Sequence, residues 1–566
     1  MTGADELARL DGVHKQAVET GRKRLLLGAA LFIVAFSVIV ARLADLTLLQ
    51  EGYEPRQAAG SHPQPFTAGR ADIVDRNGTI LATSLPTASL YANPRHVLDP
   101  KDAARKIVRA LPELNAADVE AKLSSGKSFV WIKRSLTPKT EYAVNALGIP
   151  GLYFIREDRR VYPQGDDAAH VVGYAGTDNH GLAGIEKSFD EELRTSDQPV
   201  QLSIDLRVQH ILREELAAAV EKFHAEGGNG LVMDANTGEI IAMVSLPDFD
   251  PHNPVAQNPK AIFNRDTLGV YEMGSTFKLF TVSMALDTHT VSLSSSFDAV
   301  HPIKIGRYTI TDYKGEHRWL TVPEVIKYSS NLGAARIALA VGVDNHRKYL
   351  ERFGLLSPLK LEVPELGRPE IPHPWREINT MTIAFGHGLA VTPVHLASGV
   401  AAVANGGVLH PPTLLKRQAG DVIPGVRVIA PETSYLMRKL MRLVVTEGTG
   451  KLAAVPGYLV GGKTGTAEKN GVGGYKRKSN LSLFVSAFPM TAPRYVVLAM
   501  IDEPHGTKDT YGYSTGGWTA APVVGRVIAR TASMLGVRPI DENAPAVQSA
   551  MDIDVVGFRS KRVAAN

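Results

Sequence analysis

The chain has 566 residues, 62 Lys+Arg against 58 Asp+Glu for a formal charge of +4, 44% hydrophobic and 21% charged residues, and no cysteine. That composition is globular rather than disordered, and the length accommodates about three to five domains or subdomains. The charge is too small for a nucleic-acid binder built on bulk electrostatics, and the missing thiols exclude a disulfide scaffold, a thiolate zinc site, an iron–sulfur cluster and a catalytic cysteine.

In chain order, the first distinct element is residues 25–41, an uncharged apolar run preceded by Arg22, Lys23 and Arg24. Seventeen residues make about 25 Å of helix at ~1.5 Å each, near the short end of a membrane span. Arg42 can snorkel so that the span extends to residue 47. The basic flank predicts a cytoplasmic tail over residues 1–24, a single-pass anchor over 25–47 and export of the remainder. A cleaved signal peptide is the alternative, but the run is long for one and no convincing small-x-small site comes after it. Residues 48–69, rich in Gly, Pro, Gln and His, read as a stalk.

Residues 70–200 carry short strand-like runs and a polar helical region around 100–125. Asn77-Gly78 within 71–82 is a strong hairpin signal. The texture then changes. Residues 206–224 have helical periodicity, 231–245 read as a β-hairpin, 481–488 and 495–501 as two further strands, and 521–535 as a helix. Helices cluster between the early hairpin and the late strands. This order predicts an α+β domain over 201–540, with one antiparallel sheet closed by elements distant in sequence and flanked by helices. Residues 541–566 read as a loose C-terminal tail.

Three short motifs carry chemistry. Ser275-Thr276-Phe277-Lys278 comes directly after Gly274 and precedes an apolar helical stretch. The spacing puts serine and lysine one turn apart on one helical face, where a lysine of lowered pKa can serve as the serine's base. The pattern alone is weak. About two chance copies are expected at ordinary residue frequencies, and Ser124 to Lys127 and Ser357 to Lys360 are such copies without an apolar helix after the lysine. Ser329-Ser330-Asn331, after a helical run from 322, can aim a hydroxyl and an amide into one cleft; its plain reading is a helix end and an N-cap. Lys463-Thr464-Gly465-Thr466 brings an apolar strand into a cation, a glycine permitting close backbone approach, and two hydroxyls. Residues 457–464 also match the phosphate-loop pattern literally. Yet Tyr458, Leu459 and Val460 are strand residues where a flexible cradle belongs, and the glycine-rich residues after Thr464 are a poor helix start.

Ser-x-x-Lys, Ser-x-Asn and Lys-Thr-Gly, in that order and widely spaced, are the signature of penicillin-recognising serine enzymes. Over about residues 22–535 the sequence resembles the class B penicillin-binding proteins. The contexts that agree are residues 271–278, Gly386-His387-Gly388 before Thr392-Pro393, Glu447-Gly448-Thr449-Gly450, and 461–466. Residues 70–78 resemble the first motif box of the family's non-catalytic pedestal, and 159–163 and 184–189 its later boxes. Ala71 and Met273 depart from the usual glycine and proline without removing a catalytic group. Nothing resembles a glycosyltransferase domain, and within class B the septal, cell-division branch is the most similar.

The resemblance implies a pedestal (dimerisation) domain at 70–200 and a serine D,D-transpeptidase domain of the penicillin-binding/β-lactamase-like fold. Ser275 would attack the D-Ala–D-Ala carbonyl of a peptidoglycan stem peptide, with Lys278 taking its proton. Ser329 would relay a proton to the leaving amine, and Asn331 would hold Lys278 and the substrate amide, with Ser330 pointing away. Lys463 would supply positive potential, Thr464 and Thr466 would bind the substrate carboxylate beside Gly465, and the N–H groups of Ser275 and Thr466 would form the oxyanion hole. An amine of a neighbouring strand would resolve the acyl-enzyme, and β-lactams would acylate Ser275. No metal, cofactor or nucleic acid is implied. The expected partners are the membrane, an FtsW-type glycan polymerase and other division proteins. The rivals are an elongation-specific transpeptidase, a β-lactam sensor or β-lactamase of the same superfamily, and a scaffold that only binds partners.

Overall fold

A computed structural model describes residues 22, 26–40, 69–254, 258–306, 308–471, 474–555 and 558–559, with side chains undescribed at 468–471, 474–478 and beyond 553. The chain divides into Met1–Thr67 and Ala68–Asn566. In the first unit residues 26–40 are helical and their apolar side chains are exposed. Among the described residues no helix is long and apolar enough to cross a membrane. Leu25 and residues 41–47 of the expected span lie outside the described residues, as do 48–68 of the expected stalk and all of the expected cytoplasmic tail except Arg22.

The second unit begins with the expected hairpin. Ile73–Val74 pairs antiparallel with Ile80–Ala92, and Gly78 at φ 87° makes the turn that Asn77-Gly78 predicts. Ile80–Ala92 also pairs with Val130–Leu136 and Leu152–Val161. The polar helical region resolves into two helices, Pro100–Ala110 and Ala116–Leu123, capped by Asp99 and Asn115. Their apolar faces cover this sheet through Ile107, Val119 and Leu123.

The larger part is built on a five-stranded antiparallel sheet. Its strands are β1 (Gly227–Asp234), β2 (Ile240–Leu246), β3 (Gly461–Gly471), β4 (Gly474–Phe488) and β5 (Tyr495–Asp502), in the spatial order β3-β4-β5-β1-β2. The first hairpin thus pairs with the last strand, the closure expected from the order of elements. Both faces are covered. Leu231, Met233, Leu483 and Leu498 point into one apolar cluster with the helices Lys278–Asp287, Pro393–Ala404 and Pro431–Thr446. Val232, Phe484, Val497 and Ala499 point into another with Leu206–Lys222 and Ala520–Thr531. Two-sided burial explains why β5 reads as an unbroken apolar run rather than an alternating one.

The C-terminal segment differs from the loose tail that its texture predicts. Pro545–Met551 is helical, Tyr435 donates to Ala550 O, Lys439 donates to Asp552 O, and Glu542 pairs with Arg442 and accepts from Gly457 N. Periodicity over so short a piece carries no such signal, because the ties are polar and reach residues about a hundred positions away.

Candidate active site

The nucleophile candidate sits where the chain tightens before a helix. Gly274–Phe277 is a 3-10 turn running into Lys278–Asp287, so Ser275 lies in the turn rather than in the α-helix proper. Thr276 Oγ1 donates to Met273 O at 2.8 Å and secures the entry. Phe277 and Phe280, 1% and 0% exposed with their rings edge to face, anchor it from below; each burial is worth about 1.5–3 kcal/mol.

The Ser-Ser-Asn segment joins Val322–Lys327 to Asn331–Val341. Ser329 has φ 59°, a left-handed conformation uncommon for a residue with a side chain and concentrated at functional sites. It turns both the carbonyl and the hydroxyl of Ser329 toward Lys278. Ser330 caps the second helix, accepting from Gly333 N at 3.0 Å, and points away from the cleft as expected.

Lys463 and Thr464 lie on β3, an edge strand that continues extended after the lysine. The absence of a helix after this lysine removes the phosphate-loop alternative. Gly465 serves a different neighbour from the expected one. A Cβ there would stand 2.7 Å from Met273 O and 2.8 Å from Leu483 Cγ, so its missing side chain admits the nucleophile turn against the strand. Gly274, at φ 51°, meets the same strand, with Thr466 O 2.7 Å from the place a Cβ would take. Ser275 and Thr466 are thereby neighbours.

Five side chains converge. Lys278 Nζ is 2.8 Å from Ser275 Oγ, 2.6 Å from Ser329 O, 3.1 Å from Ser329 Oγ and 2.8 Å from Asn331 Oδ1. Lys463 Nζ donates to Ser329 Oγ at 2.9 Å. Both lysines are 0% exposed. Two of the atoms around Lys278 Nζ, Ser329 O and Asn331 Oδ1, can only accept. A neutral amine has two N–H bonds for them and one lone pair, which is left for the Ser275 O–H. Burial, and then the nearby Lys463 cation, push the Lys278 pKa well below the ordinary lysine value, while Asp312 opposes them. Burial also brings Lys463 down to about 7. The pair therefore favours one neutral amine beside the serine and one cation beyond Ser329.

Thr464 Oγ1 is 2.7 Å from Thr449 Oγ1 and 3.3 Å from Lys463 Nζ, and Thr466 Oγ1 accepts from Gly516 N at 3.2 Å. Thr449 is a site hydroxyl that motif reading does not single out, although its Glu-Gly-Thr-Gly stretch is recognisable. Asp312 is a second such residue. Its carboxylate accepts from the Ser330 hydroxyl at 2.7 Å, from Asn331 N and from Leu332 N at 3.0 Å. Thr311 O takes Asn331 Nδ2 at 3.1 Å, which turns Oδ1 toward the lysine. An aspartate in a loop 18 residues upstream of Ser330 carries no sequence signal of this.

These groups set the pH dependence of the site. The second-order rate of acylation should rise with pH as Lys278 loses its proton and fall above about pH 7 as Lys463 loses its charge, because the free-enzyme profile reports both. In Lys463→Arg the alkaline limb should leave the measurable range, since the guanidinium keeps its proton. Asp312→Asn should slow acylation about tenfold or more through lost charge-assisted hydrogen bonds. It should also move the acid limb to lower pH, because removing the anion lowers the Lys278 pKa further. A stopped-flow acylation series across pH reads both.

Fold and site define a serine acyl-transfer enzyme in which a buried lysine stands beside the serine. Residues 228–529 match the penicillin binding protein transpeptidase domain and 65–218 the penicillin-binding protein dimerisation domain. The chain belongs to the penicillin-binding protein transpeptidase family, with the class B combination of dimerisation and transpeptidase domains. It is 41% identical over 492 residues to a probable peptidoglycan D,D-transpeptidase FtsI of Caulobacter vibrioides, covering 85% of this chain and 83% of that one. The transpeptidase domain of Burkholderia pseudomallei penicillin-binding protein 3 superposes at TM-score 0.54 with 36% identity, over 61% of this chain and 98% of that one. Penicillin-binding protein 3 of Mycobacterium tuberculosis shares the fold over 84% of this chain and 97% of its own, at TM-score 0.66 and 24% identity.

Proposed function

We propose that the protein is a peptidoglycan D,D-transpeptidase of septal wall synthesis. The observation that carries this reading is Lys278 Nζ, 2.8 Å from Ser275 Oγ and held by Ser329 O and Asn331 Oδ1, so that the neutral amine has its lone pair left for the serine hydroxyl. Lys278 takes the hydroxyl proton as Ser275 Oγ bonds to the penultimate D-alanyl carbonyl carbon. The developing oxyanion lies between the N–H groups of Ser275 and Thr466. The C–N bond to the terminal D-alanine then breaks. Its nitrogen receives the proton through Ser329, which touches both lysines. Lys463, Thr464 and Thr466 hold the terminal carboxylate, and Asn331 holds Lys278 and the substrate amide. An amine from a neighbouring stem peptide attacks the acyl-enzyme and closes the cross-link. A β-lactam takes the first half of this path, and its acyl-enzyme resists water.

In the same reading, residues 70–200 are the pedestal and 201–540 the transpeptidase domain. Residues 25–47 anchor the chain in the cytoplasmic membrane with the N-terminus inside, beside a glycan polymerase of the FtsW type. Support for the anchor is the uncharged run behind Arg22, Lys23 and Arg24.

The test is intact-mass measurement of the full-length protein in detergent with benzylpenicillin. A stoichiometric adduct that maps to the peptide holding Ser275 and persists for many minutes supports the transpeptidase reading. Rapid turnover of the drug makes the protein a β-lactamase, and no adduct on folded protein makes it a scaffold.

A further inference from the structure

Two segments tied to different elements of the site come from distant parts of the chain. Residues 311–314 form one, tied to the Ser-Ser-Asn turn by the Thr311 carbonyl and the Asp312 carboxylate. Residues 511–518, after β5, form the other. They are tied to β3 by Gly516 N on Thr466 Oγ1 and to β4 by the Ser482 hydroxyl on Ser514 O. One side chain bridges them. Lys314 Nζ lies 3.2 Å from Tyr513 OH and 4.7 Å from the centre of its ring. Trp518 stacks on Tyr513 at 5.8 Å and 13°, with Tyr511 edge-on to the same indole. The phenol is therefore held, while Lys314 is exposed and, among the described residues, pairs with no carboxylate.

A phenol and a ring face attract an ammonium only weakly in water, less than a carboxylate in hydrogen-bonding geometry. The cation rests on partners that a carboxylate in hydrogen-bonding geometry can displace. We propose that Lys314, parked on Tyr513, is a specificity-determining residue that reads a second acidic group on the donor peptide, apart from the terminal carboxylate assigned to Lys463. The inference rests on the transpeptidase reading and deepens it: the donor is an acidic peptide, and the clasp opens onto its carboxylate.

Two D-alanyl thioesters test this, one carrying a neutral acyl chain on the alanine nitrogen and the other the same chain ending in a carboxylate. Full-length wild type should turn over the acidic thioester with a kcat/KM about tenfold higher, the size of one charge-assisted contact, and the preference should shrink with added salt. Lys314→Met should lose the preference by slowing the acidic thioester alone, and Lys314→Arg should keep it. The inference is overturned if wild type shows no preference, if Lys314→Met retains it, or if that variant slows both thioesters equally. Benzylpenicillin acylation, measured beside each assay, separates the two claims. No adduct on wild type defeats the transpeptidase reading itself, whereas a normal adduct without preference defeats only the role of Lys314.

Discussion

Lys278→Met is expected to lower the rate of Ser275 acylation about 1,000-fold, within the 10²–10⁴ range typical of a positioned general base and equivalent to about 4 kcal/mol of transition-state stabilisation. The serine stays in place, because Gly274, Phe277 and Thr276 hold its turn independently of the amine. The variant loses the amine nitrogen 2.8 Å from Ser275 Oγ. A serine hydroxyl without a base is a weak nucleophile, so a slow residual adduct should remain, whereas Ser275→Ala should give none. Methionine is close to lysine in length and adds no charge, so the fold should survive, checked by circular dichroism and thermal unfolding. Acylation within tenfold of wild type would remove Lys278 from the role of base.

Glu186→Ala should destabilise the N-terminal part of the second unit by about 3–5 kcal/mol, the usual result of removing one member of a buried ion-pair network. Glu186 is 0% exposed and receives Arg70 Nε on one oxygen and Arg160 Nε on the other, the latter at 2.6 Å. Arg70 reaches on to Asp190 Oδ1 at 2.6 Å, and Arg160 to Arg70 O at 3.0 Å. Without the carboxylate two buried guanidiniums face each other with Asp190 as the remaining anion. The loss should appear as a lower unfolding midpoint, or as faster proteolysis within residues 70–200. Penicillin acylation at 25 °C should stay near wild type, because the convergent side chains all lie beyond residue 270. An unchanged midpoint would mean that water or rearrangement satisfies the arginines.

These two results concern different kinds of legibility. Arg70, Arg160 and Glu186 stand in stretches recognisable by resemblance, yet their mutual pairing across 116 and 26 residues is visible only in the fold. The same holds for Asp312 and Lys314, which no motif marks. Gly465 is recognisable as a close-approach position, but the group that approaches is the chain's own Met273 carbonyl. Sequence gives the need for space at a glycine and not the identity of the group that fills it.

By itself the sequence determined the chemistry and its alphabet. The absence of cysteine, the Ser-x-x-Lys spacing within one turn, the hairpin at Asn77-Gly78 and the apolar runs that became β4 and β5 are local facts, set by periodicity, backbone freedom and side-chain type. Tertiary structure alone decided the distances. Lys278 meets Ser329 across 51 residues and Lys463 meets Ser329 across 134, because the last strands pair with the first hairpin and carry β3 to the sheet edge beside the nucleophile turn. It also set the two lysines apart. Both have the same side chain and the same burial; the Lys463 cation makes the Lys278 proton the easier one to lose, and the oxygens of Ser329 and Asn331 orient the amine.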